Sequence, residues 1–158
     1  MTITQQLAKH LRDVHFGGNW TSVNLRDTVK DVTWQQATAK VYTFNTIAAL
    51  VFHTHYYIAA VLKVLQGGEL DAHDKFSYDV PSIQSPEDWE NLLSTVWKDA
   101  ELFATLIETL EDSMLDEYLA NEKYGNYFRN LSGIIEHTHY HLGQIVLIKK
   151  ILQAGEAI

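Results

Sequence analysis

Three of the chain's eight histidines fall within five residues, in Glu136-His137-Thr138-His139-Tyr140-His141-Leu142-Gly143-Gln144-Ile145. The stretch lies inside what reads as the last long helix. A helix advances about 100° per residue, so His137 and His141 project from one face, one turn apart, whereas His139 lies about 200° from His137. With His137 at the origin, Ile148 falls near about 20°, Ile134 and Leu152 near about 60° and Ile145 near about 80°. That places His137 and His141 in the middle of the apolar stripe. Lys149, Lys150 and Gln153 fall between about 120° and 220°, so His139 reads as a solvated bystander. A lone histidine on an apolar face is usually satisfied by a carbonyl or carboxylate. Two at i and i+4 would each need such a partner, whereas one cation satisfies both. The pair is therefore half of a metal site.

The periodicity around this stretch predicts an all-α fold. Ile3, Leu7, Leu11 and Val14 mark a first helix over residues 3–15, ended by Gly17-Gly18. Residues 20–40 form an irregular excursion with one or two short helices, Asn24 and Thr33 standing at their starts. Asn45 or Thr46 caps a long helix over 47–66, with a core stripe of Ile47, Leu50, Val51, Ile58, Val61, Leu62 and Leu65. Residues 69–85 read as a long loop, of the kind that often covers a site. Ser85-Pro86-Glu87-Asp88 is a strong helix start for a third long helix. A further irregular segment, 114–125, precedes the last helix over 126–153. Four long amphipathic helices with two long crossover connections make a four-helix bundle, and the length fits a single domain over 1–158.

The 47–66 helix carries His53 and His55. His53 falls beside Ala49 and Ala60, whose small side chains leave room for a neighbouring helix or a ligand, and so is the better inward ligand. His55 falls next to the polar edge and is second choice. His53, His137 and His141 then supply three imidazoles with no evident fourth ligand, the pattern of an open, catalytic metal site rather than a closed structural one. Imidazole suits zinc, nickel, copper or iron. Glu136, at the border of the stripe, is the one candidate to orient a ligand or act as a base, but its position better describes a boundary carboxylate in water. His10, His15 and His73 read as surface, loop or structural residues.

Composition narrows the function classes. The chain has no cysteine, so thiolate metal sites and cysteine nucleophiles are excluded. Its net charge of −8, with no Lys/Arg cluster, argues against a nucleic-acid partner. No run approaches the roughly 18–20 apolar residues of a membrane span. Without a signal peptide in view, the expectation is a cytoplasmic protein acting on small molecules. No phosphate-binding glycine loop or serine-hydrolase elbow is present.

His137-x-x-x-His141-x-Gly143-Gln144-Ile145 resembles the last-helix signature of the DinB-like superfamily of bacterial four-helix bundles, also called DinB/YfiT-like metalloenzymes. Asn45-Thr46-Ile47-Ala48-Ala49-Leu50-Val51-Phe52-His53 resembles the segment that carries the family's first histidine, and the spacing between the two fits. The resemblance implies a metal triad of His53, His137 and His141, a divalent ion (zinc or nickel most commonly) and a homodimer. For the reaction, relatives in the family include thiol-dependent S-transferases and a thiol-dependent isomerase, so the first expectation is S-transfer with a low-molecular-weight thiol cosubstrate. Leu142, where many relatives carry a charge, is a departure at the rim of the site. Two other functions are compatible with the same residues: a metal-dependent hydrolase, and a non-catalytic metal- or ligand-binding stress protein.

Overall fold

The computed structural model describes residues 1–155, so the last three residues of the expected domain lie outside the described residues. Among residues 1–155 six α-helices form: α1 (Ile3–Phe16), α2 (Leu25–Val29), α3 (Trp34–Thr38), α4 (Ile47–Leu65), α5 (Pro86–Glu108) and α6 (Tyr127–Ala154). Among the described residues there is no β-strand, only an isolated bridge between Tyr118 and Asn126. The fold is all-α.

Local chemistry sets the helix ends. Thr2 and Gln5 form a capping box at the start of α1, and Thr33 and Gln36 form another at α3. Thr46, Ser85 and Asn126 each cap a long helix through their side chains. Gly155 closes α6 in the left-handed conformation (φ 72°), which its lack of a Cβ allows. One cap is tertiary. The Asp112 carboxylate, 108 residues away in sequence, accepts from the backbone N–H of Ile3 and of Thr4, both at 3.0 Å.

The four long helices pack side by side, with α1 and α4 each lying against both α5 and α6. The α2–α3 excursion folds over one end, where Trp89 Nε1 donates to the Val32 carbonyl at 3.0 Å. Two apolar clusters form the core. One holds Val14, Val51, Val96, Leu142 and Ile145; the other holds Leu11, Ile58, Phe103, Leu131 and Ile134. Between them the long helices contribute a belt of buried polar residues: His15, His53, Thr54, His55, Thr138 and His141. Thr54 and Thr138 satisfy themselves by donating to the carbonyls of Val51 and Ile134, at 2.9 and 2.8 Å. The histidines must find partners elsewhere.

Several sequence expectations are corrected by this packing. The buried face of α1 is Thr4, Ala8, Leu11, Val14 and His15, so Ile3 and Leu7 lie to one side of it, Ile3 being 48% exposed. His15, read as a surface or loop residue, is fully buried. The buried face of α6 includes Leu131, Ile135, Thr138 and Leu142, because α1 covers a second side of the helix. Its centre therefore lies further round than expected. His137 sits at one border of the buried face, and His139, half-buried, sits near the other. Helix α4 is also long and apolar enough, by length and composition, to cross a membrane, against the expectation that no run comes close. More than half of it is buried within the protein, as in a core helix.

Candidate metal centre

The structure brings His53, His137 and His141 together. His53 hangs from α4, and His137 and His141 from successive turns of α6. His137 Nε2 lies 3.1 Å from His53 Nε2 and 3.0 Å from His141 Nε2. A ligand nitrogen from each of the three lies within 4.8 Å of the others. His53 and His141 are buried, at 7% and 6% exposure, and His137 is half-buried.

Hydrogen bonding alone does not account for this cluster. His141 Nδ1–H donates to Gln144 Oε1 at 2.7 Å, which leaves a bare lone pair on its Nε2. His137 Nε2 carries at most one hydrogen, yet it faces two imidazole nitrogens. A single cation would satisfy all three lone pairs. Metal–nitrogen bonds of about 2.0–2.1 Å place cis ligand nitrogens about 2.9 Å apart at right angles and about 3.4 Å apart at tetrahedral angles. The two short separations fall between those values, so each of these two donor pairs has the spacing of adjacent ligands on one divalent ion. Its identity is not set by three imidazoles.

The electrostatics point the same way. Burial, and then the neighbouring His141 and His53, push the His137 imidazole down to about 4. Burial and His141 lower His53 as well. Both rings are therefore neutral at pH 7, the form that binds a metal without first losing a proton. His53 Nδ1 is buried with no hydrogen-bond partner. The Ser77 backbone carbonyl favours a proton on this ring, but its geometry completes no bond with Nδ1.

Aromatic rings surround the cluster. Tyr78 stacks on His53, with centroids 4.0 Å apart and planes 8° from parallel. Tyr57 meets both His53 and His137 edge-on, at 5.2 and 5.1 Å, and Tyr140 meets His141 at 4.9 Å. Tyr78 arrives on the 69–85 loop, which two α4 tyrosines hold in place. Tyr56 hydroxyl accepts from the His73 N–H at 2.8 Å and donates to the His73 carbonyl at 3.1 Å. Tyr57 hydroxyl donates to Asp74 Oδ1 at 2.9 Å. Burial, and then the bond to Asp74, raise the Tyr57 pKa, so this phenol keeps its proton at neutral pH.

No family model, curated protein or solved structure matches this chain. The site is therefore read from its own residues.

The other sequence candidates lie elsewhere. Glu136 is exposed and lines a separate groove with Leu7, His10 and Phe128, away from the three histidines. His55 is buried and does not join the triad; its Nε2–H donates to Asp99 Oδ2 on α5 at 2.8 Å. The His73 side chain is exposed and lies 3.4 Å from the Asp71 carboxylate. His139 is held below its ordinary pKa by burial and then by His10. Sequence reading missed Tyr57, Tyr78, Asp74 and the role of Gln144. Gln144 had a local signal, as the residue one turn beyond His141 and beside the same stripe, and so had Tyr57, one turn beyond His53.

Proposed function

We propose that this chain is a metal-dependent enzyme of the DinB-like superfamily: a four-helix bundle of that topology, cytoplasmic and dimeric, holding zinc or nickel on His53, His137 and His141. The reaction we favour is transfer of a small thiol's sulfur to an electrophilic small molecule. The observation that carries the reading is the convergence of three imidazole nitrogens with no set of hydrogen bonds that satisfies them all. A divalent ion on such a site lowers the pKa of a bound thiol or water.

The chain's own residues supply the surroundings. Gln144 fixes the tautomer of His141, so that its Nε2 lone pair faces the cluster. The tyrosine rings cover the imidazoles and limit water, which strengthens electrostatic interactions inside. His137, the most open of the three, marks the side from which a ligand enters.

One observation favours a second reading, metal-dependent hydrolysis. That chemistry needs a base beside the site, and Asp74 stands across the Tyr57 hydroxyl from the histidines. Thiol loss measured with zinc-loaded protein, cysteine and chlorodinitrobenzene separates the readings. S-transfer predicts thiol loss above the uncatalysed rate, abolished by chelation and by His137→Ala. Ester cleavage without thiol would favour the hydrolase. Turnover in neither assay would sink both and leave a binding protein.

A further inference from the structure

A groove of about 330 Å³ runs between α4 and α6, with His137 at one end and Arg129 at the other. Its walls include Val61 and Ile134, and Tyr57 stands beside His137. Its floor is open at Gly133, where an added Cβ would meet nothing within 4 Å. His137 and Arg129 are eight residues apart on one helix, a rise of about 12 Å.

Arg129 is seated for a role at the mouth of this groove. Its aliphatic stem lies over Gly125, where a Cβ would come within 2.9 Å of Arg129 Cδ, and Gly125 has φ 78°. Glycine at that turn thus leaves the space the side chain occupies. Among the described residues, no carboxylate lies within ion-pairing distance of its guanidinium. By contrast, Arg12 is bound to both Glu101 and Glu108. On a chain of net charge −8, an uncommitted guanidinium at a groove mouth is a local feature that selects an anion.

We propose that this groove binds an elongated small molecule with a carboxylate at one end and a metal-binding donor atom at the other. Arg129 pairs with the carboxylate, Val61 and Ile134 take the intervening chain, and the donor passes His137 to reach the three-histidine group. The inference rests on the metal reading above and adds the ligand class.

The test compares three probes on zinc-loaded protein by titration calorimetry. They are acetohydroxamate (the metal-binding head alone), octanedioic acid monohydroxamate, and the methyl ester of the latter. The expected result is that the acid binds about tenfold more tightly than its ester, a charge-assisted contact. Arg129→Gln should erase that preference and Arg129→Lys keep part of it, with acetohydroxamate affinity unchanged in both. If acetohydroxamate binds but acid and ester bind alike, or the preference survives Arg129→Gln, the groove assignment is wrong and the metal reading stands. If the protein takes up no zinc, or acetohydroxamate does not bind, the metal reading fails and this inference falls with it.

Discussion

His141 donates its Nδ1 hydrogen to Gln144 Oε1, one turn further along α6, at 2.7 Å, and thereby turns a bare Nε2 toward His137 3.0 Å away. The bond makes Gln144 part of the site although it touches no other ligand. Gln144→Leu should weaken metal affinity by about 10–100-fold, the usual effect of losing a partner that orients a ligand. Competition with a chromophoric chelator measures this. Gln144→Glu, which keeps an acceptor, should retain most of the affinity.

His15 supplies a prediction about acid stability. It is fully buried, its Nδ1–H donates to the Leu11 carbonyl at 2.8 Å, and its Nε2 has no partner. Burial is the main cause of a pKa lowered to about 4, with His55 and His139 adding to it. The unfolded chain therefore binds a proton that the folded chain refuses. Stability is full above the unfolded value of about 6.5 and falls as pH drops from there toward about 4, by up to about 1.4 kcal/mol per pH unit for one such group. Urea denaturation of the metal-free protein across that window measures the slope. His15→Leu should be nearly neutral at pH 7, because it removes an unpaired buried nitrogen, and should flatten the slope. The slope should not vanish, since His53, His137 and His139 are lowered as well.

The cover over the site hangs on hydroxyl groups. Tyr56 and Tyr57 hold the backbone of His73 and the carboxylate of Asp74, and so place Tyr78 on His53. The double variant Tyr56→Phe/Tyr57→Phe should cost the loop about 1 kcal/mol of local stability. Hydrogen exchange in residues 70–80 should rise several-fold with metal stoichiometry unchanged. Unaltered exchange there would show that the tyrosines do not hold the loop.

The triad was legible because helix periodicity is local. His137 and His141 at i and i+4 among Ile134, Ile145 and Ile148 share a face whatever the helix packs against, and Ala49 and Ala60 mark room beside His53. The half-burial of His139 was not legible, whereas His15, one turn beyond Leu11 on α1, lay on a face that periodicity marks. A helical wheel assumes one buried face, whereas α6 is covered by α4 on one side and by α1 on another. Two-sided cover widens the buried arc, and the same widening leaves His137 at its border, open to a groove. The Tyr57–Asp74 contact joins residues 17 apart, across a loop with no periodicity, so nothing local announces it. The Asp112 cap on α1 was out of reach for the same reason.

Metal content tests the central claim most directly. Wild type and the variants His53→Ala, His137→Ala, His141→Ala and His139→Ala would be purified in parallel, loaded with zinc, desalted and analysed for bound ion. The account predicts about one ion per chain in wild type and in His139→Ala, and little or none in the other three, each of which lacks one of the three imidazoles that an open site requires. Equal metal in all five proteins, or loss confined to His139→Ala, would contradict it.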